Sequence, residues 1–249
     1  MAKVLFPLPD RDFDVTEVAV PWKLLREAGH EVVFATAEGA TPACDPLLIS
    51  GVGFGLLGAR PEPIAFYREL ERDPAFVSPV AWTTCDVAAF DALFLAGGHA
   101  PGMRQYLGSE HVHALTAAFF AANKPVAAIC HGVLVAARAR RPDGTSVLRG
   151  HRTTCLPKYM ERSAYLATFW RRGRYYRTYP AYVEDEVRAA LASPDDFERG
   201  PRTLSKRGTR EDDQPAFVVE SGRYLSARWP GDAYLLAKRL IAALLPASG

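Results

Sequence analysis

Short, almost uninterrupted apolar runs alternate with longer segments of helical period along the first 140 residues. Lys3-Val-Leu-Phe-Pro-Leu8, Glu31-Val-Val-Phe-Ala35, Ala92-Leu-Phe-Leu-Ala96 and Val126-Ala-Ala-Ile129 have the length and character of buried strands. Between the first two, Asp14-Val-Thr-Glu17 opens a helix that runs through Ala28 and stops at Gly29, which completes a βαβ unit. Ser109 caps a helix from Glu110 to Ala122, and Val133 to Ala137 continues helically after the fourth strand. Residues 39–79 lack clear periodicity apart from a short helix at Ile64 to Leu70. Further on, the pattern predicts a short strand at Arg152 to Cys155, an amphipathic helix over Lys158 to Trp170 and another helix from Glu184 to Leu191. A polar loop over Ser205 to Pro215 follows, then a hairpin turning at Ser221-Gly222 and a closing helix from Ala233 to Leu245. The alternation predicts an α/β fold with an open, mostly parallel sheet sandwiched by helices.

Length adds that residues 1–249 suffice for a single domain with an embedded cap, which the irregular segments place at about 39–79 and 158–215. The formal charge of +2, from 30 basic and 28 acidic residues, gives no global field suited to nucleic acid or a membrane surface. The first residues are too soon interrupted by Pro7 for a signal peptide and no run reaches spanning length, so a cytoplasmic location is expected. Cys44, Cys85, Cys130 and Cys155 show no CxxC spacing and are expected to be free thiols.

Candidate chemistry gathers where the strands end. Cys130 stands at a strand-to-helix turn, which lifts its thiol from the sheet and presents it to helix N–H groups; the plain alternative is a small buried residue ending a strand. Glu17 has capping-box spacing from Asp14, yet it also follows the carboxyl end of the first strand, the edge where open sheets hold their sites. Spacing alone does not separate these readings. Gly97-Gly98-His99 follows another strand end, where glycines let backbone N–H groups approach a ligand or simply make a tight turn. His99, His131 and Glu17 make a thin case for a metal, and none is expected. Gly51-Val-Gly-Phe-Gly55 lacks the spacing of a phosphate loop. The arginines and tyrosines of Arg171 to Arg177 suit a salt-bridged cap face or an anionic substrate better than nucleic acid.

Three segments together carry a family likeness: Thr16-Glu17 through Gly29, Ala96-Gly97-Gly98-His99, and Ala128-Ile-Cys130-His131-Gly132. The chain resembles the DJ-1/PfpI superfamily, in the longer branch that includes heat-shock chaperones with glyoxalase III activity. The resemblance implies a flavodoxin-like sheet with a nucleophile elbow. It implies Cys130 as nucleophile, Glu17 as the acid at the thiol, His131 as base and Glu161 as the acid orienting that histidine, where the branch has Asp. Amides of Gly98 and His131 would form an oxyanion hole, with Gly97 and His99 beside the substrate. No cofactor and a homodimer are implied. The leading expectation is a glyoxalase III-like enzyme that converts a small reactive carbonyl such as methylglyoxal to lactate, with a Cys130 pKa well below ~8.5. An amidase or deglycase, a biosynthetic enzyme, a holdase chaperone and a redox sensor are the alternatives.

Overall fold

The computed structural model describes residues 1–51, 58–202 and 206–245, so most of the Gly51 to Gly55 glycine run and the first residue of the Ser205 to Pro215 loop lie outside it. The strands are β1 (Lys3–Pro7), β2 (Arg11–Phe13), β3 (Glu31–Thr36), β4 (Ala43–Cys44), β5 (Val80–Ala81), β6 (Ala92–Leu95), β7 (Val126–Ile129), β8 (Val218–Ser221) and β9 (Tyr224–Ala227). Seven of them form one sheet in the order β5-β3-β1-β6-β7-β9-β8, parallel throughout except for β8 against β9. β2 and β4 make a separate small ladder. The apolar runs account for this arrangement: all of β6 and β7 is buried, as double-sided cover requires. Phe6 stacks on Phe94 at 4.6 Å and meets Phe34 edge-on at 5.5 Å, joining three adjacent strands.

The helices are α1 (Val15–Glu27), α2 (Pro46–Ser50), α3 (Pro61–Leu70), α4 (Pro74–Val77), α5 (Met103–Leu107), α6 (Glu110–Ala121), α7 (Val133–Arg138), α8 (Lys158–Arg172), α9 (Val183–Ala190) and α10 (Ala233–Ala243). α1 packs with α3 and α10, while α7 packs with α6 and α9, so two helix groups flank the sheet. The structure therefore has the α/β architecture that the hydrophobic pattern predicts. Among the described residues of 39–79 are three short helices whose length leaves little periodicity to read; each begins at a proline, and Asp45 and Asp73 cap two of them. The strand expected at Arg152 to Cys155 reduces to one bridge, Thr153 to Phe197. There the Thr154 N–H donates to the Ser226 hydroxyl at 3.0 Å, so a side chain takes the place of a ladder partner.

The chain visits β1, turns to β3 on one side, and returns to β6 on the other. This reversal opens a crevice at the carboxyl ends of β1 and β6, with β7 next in line. On the far side of β7, Arg228 and Asp232 make a fully buried, two-point ion pair with both contacts at 2.8 Å. Arg228 also donates to Pro201 O at 2.6 Å, and Asp232 accepts from Phe217 N at 2.9 Å. The pair thus ties the loop before the hairpin, the hairpin itself and the start of α10. Arg228→Met should leave the Asp232 carboxylate unpaired and lower the unfolding free energy by about 3–5 kcal/mol, read as a shifted midpoint in urea denaturation.

Candidate active site

β7 ends at Ile129, and the next residue, Cys130, adopts φ 58°, a left-handed conformation that costs a non-glycine residue about 1–3 kcal/mol. A single helical turn over Cys130–Gly132 then leads into α7. Such a bend requires the chain to pass close beneath the end of β6. A Cβ on Gly132 would run into Leu95 O and lie 2.7 Å from Ala96 O, so only glycine fits. Cys130 is the elbow expected from the sequence, and it is buried.

Glu17 reaches this elbow from α1. Asp14 caps that helix, its carboxylate accepting from Thr16 N at 2.8 Å and Glu17 N at 3.1 Å. The reciprocal half of a capping box is missing, because the Asp14 N–H donates to Gly97 O at 2.9 Å. Glu17 Oε2 instead accepts from Gly97 N at 2.8 Å. Of the two readings of Glu17, the geometry selects the one directed at the sheet edge. Gly97 makes this possible: a Cβ there would lie 2.7 Å from Glu17 Oε2, 2.8 Å from His131 N and 2.9 Å from Cys130 Cβ. Burial, with Asp14 nearby, holds the Glu17 carboxyl well above its ordinary range and so favours its neutral form.

His131 turns its ring beside the thiol, Nδ1 lying 3.6 Å from Cys130 Sγ. Its far nitrogen meets Thr178, with Nε2 3.2 Å from the hydroxyl oxygen. That hydroxyl donates its own hydrogen to His99 O at 2.8 Å, so Nε2 must be the donor and Nδ1 is left with a lone pair toward the sulfur. The partner expected for this nitrogen, Glu161, is engaged elsewhere. Its carboxylate accepts from Val183 N at 3.0 Å, at the start of α9, and pairs with Arg177 at 3.7 Å. Glu161 lines the same cavity as Cys130 but does not orient His131. Burial, followed by the charges of His99 and Arg138, lowers the His131 pKa well below its ordinary value, so the ring rests neutral.

A cavity of about 310 Å³ opens onto Cys130. Both irregular segments contribute to its wall: Leu48 from residues 39–79, and Met160, Glu161, Ala164, Thr168, Tyr176 and Arg207 from residues 158–215. His99 completes one side, its ring 4.7 Å from that of Tyr176 and 5.7 Å from that of His131. Burial lowers the His99 pKa to about 4. It also pushes the Cys130 thiol up, with Glu17 and Asp14 adding to the effect and the His131 amide opposing it. The strongly depressed thiol expected from the turn is therefore not the resting condition. α7 has only six residues, and desolvation outweighs the few N–H groups that it offers. Among the described residues, no three His, Cys, Asp or Glu side chains converge to hold a metal ion. Nor is any helix long and apolar enough to cross a membrane.

A family model described as ThiJ/PfpI family-like matches residues 8–201. The chain belongs to the ThiJ/PfpI family. With it, the DJ-1/PfpI likeness of the three segments is established. An uncharacterized protein of Schizosaccharomyces pombe is 27% identical over 96% of this chain and 82% of its own. A deglycase of Pyrococcus horikoshii is 25% identical over 96% and 97%. Among solved structures, glyoxalase III of Candida albicans superposes with a TM-score of 0.70 at 19% identity, covering 97% of each chain, a likeness of fold.

In this ThiJ/PfpI site, Tyr176 comes from the arginine- and tyrosine-rich stretch Arg171 to Arg177, whereas Thr178 and Arg207 carry no signal in the sequence. The His131 ring should remain neutral and protonated at Nε2 over about pH 5 to 8, where an ordinary imidazole titrates, as ¹⁵N chemical shifts would register. Thr178→Val should release that preference. Glu161 supplies a second test, because burial raises its pKa from 4.5 to about 7. The folded state holds this proton more tightly than the unfolded chain does, so the associated stability is complete below about 4.5 and is lost as the pH rises through about 7. Glu161→Gln should remove a decline on the order of 3 kcal/mol over that window, measured by chemical denaturation at a series of pH values.

Proposed function

We propose that this chain is a cofactor-independent cysteine enzyme acting on a small reactive carbonyl, with a 2-oxoaldehyde such as methylglyoxal as the model substrate. The observation that carries this reading is the 3.6 Å approach of Cys130 Sγ to the free Nδ1 of a neutral His131, where Cys130 lines the cavity. Nδ1 takes the thiol proton as sulfur adds to the aldehyde carbon and passes it to the new alkoxide, giving a hemithioacetal and freeing the ring to act again as base. The ring then removes the hydrogen on that carbon and returns a proton to the neighbouring carbon, while the hydroxyl proton passes from the first oxygen to the second, leaving a thioester of a 2-hydroxy acid. Water hydrolyses the thioester and restores the thiol. Protonated Glu17 supports the sulfur throughout, and the amides of Gly98 and His131 are the candidates to stabilise the oxyanion. Thr178 keeps the imidazole in the tautomer that can accept the first proton. The glyoxalase III likeness in fold supports this reading.

A deglycase reading uses the same thiol to release an amine from a glycated side chain. It is favoured by the deglycase relatives from two Pyrococcus species, at 25% and 26% identity over more than nine-tenths of the chain. The products separate the two. Purified protein given methylglyoxal without glutathione should form lactate, and Cys130→Ser should abolish it. Thr178→Val should cost at least about ten-fold in kcat, and Glu161→Gln much less. Amine release from glycated substrates with no lactate would transfer the assignment to the hydrolase.

A further inference from the structure

Arg207 lies in the wall of the Cys130 cavity and borders a second cavity of about 460 Å³, the two sharing Arg207 and Pro230. The guanidinium is part-buried, its carbon 5.0 Å from the centre of the Trp229 ring, and it donates to Gly58 O at 3.5 Å. Among the described residues no carboxylate pairs with it directly. Asp14, in the same cavity wall, acts on it only through space, with its Oδ1 committed to the start of α1, and burial favours the neutral form of Glu17. Arg60, the other arginine near it, adds repulsion. A charge so placed is costly to bury without a directly paired anion. Two further groups of the same wall, the Tyr176 hydroxyl and the Trp229 indole N–H, are buried without a hydrogen-bond partner among the described residues. A guanidinium, a phenol O–H and an indole N–H are all donors, and a carboxylate is a pure acceptor.

We propose that the substrate carries a carboxylate as well as a reactive carbonyl, and that Arg207 holds the carboxylate while Cys130 attacks the carbonyl. This rests on the reading of Cys130 as the attacking group. Under the proposed reaction the substrate class is a 2-oxoaldehyde whose other end is an acid, such as 4,5-dioxopentanoate, and the product is a 2-hydroxy diacid. No atom is added beyond the water that releases the product, and the carboxylate itself does not react.

Iodoacetate and iodoacetamide differ by a carboxylate against an amide and alkylate the same sulfur, so their rates at Cys130 report recognition without any turnover. The iodoacetate-to-iodoacetamide rate ratio, normalised to that of glutathione, should be at least about ten-fold above unity in the unmodified protein. It should fall toward unity in Arg207→Met and be partly kept in Arg207→Lys, with circular dichroism checking that each variant folds. A ratio near unity in the unmodified protein, or one unchanged in Arg207→Met, overturns the proposal. A measurement without any variant is available as well: acetate should slow iodoacetamide labelling of Cys130 at concentrations where acetamide does not, and equal effects of the two count against the proposal. Turnover of 4,5-dioxopentanoate in preference to methylglyoxal supports both the reaction and its acid-bearing substrate. Lactate formation with a flat alkylation ratio leaves the reaction standing and removes the role of Arg207. A high ratio with no 2-oxoaldehyde turnover keeps the carboxylate site and removes the reaction.

Discussion

Everything at the site depends on how closely three backbone segments approach one another where β1, β6 and β7 end. The amide of Gly97 donates to Glu17 while its carbonyl accepts from Asp14, so the start of one helix is clamped to the end of a neighbouring strand. The elbow is pressed against the same strand end, and only the missing side chains of Gly97 and Gly132 leave room. One added methyl at either position would separate groups that must act together. The strain in Cys130 is sustained by this enforced proximity, since relaxing the turn would require all three segments to part.

The second organising fact is electrical. Glu17, Cys130 and His131 are buried to the point that each prefers its neutral form, the acid holding its proton and the imidazole declining one. A neutral cluster avoids the desolvation penalty that a resting thiolate would incur. It also assigns the proton transfer to the moment when a bound carbonyl can take up the negative charge. The hydroxyl of Thr178 gives this arrangement its direction, because a neutral imidazole is useful only if the correct nitrogen is bare.

Much of this was legible in the chain. The apolar runs located β1, β3, β6 and β7, with α1 and the elbow, because buried strands and capped helices have local signatures, whereas the two-residue β5 has none. The positions of Cys130, Glu17 and Gly97 relative to strand ends followed from those signatures. Thr178, Tyr176 and Arg207 did not, because they sit in irregular segments brought to the cavity by tertiary packing, and threonine in a loop carries no pattern of its own. Glu161 illustrates the opposite error. It lies at a suggestive distance along the chain and does reach the cavity, but the start of α9 and the Arg177 guanidinium claim its carboxylate. The second half of the sheet edge was harder to anticipate for the same reason: Ser226, a side chain, answers the backbone where a strand partner was expected.

The loop carrying Thr178 is separated from the elbow by nearly fifty residues, yet it reaches both His131 and the backbone of His99 through one hydroxyl. That link joins the most variable kind of structure, an irregular surface excursion, to the most constrained. Evolution can therefore adjust reactivity from outside the elbow. Reshaping the 173–182 excursion could detune or redirect the imidazole while leaving the strained turn, its glycines and the sheet untouched. One inherited thiol could thereby serve several chemistries in turn.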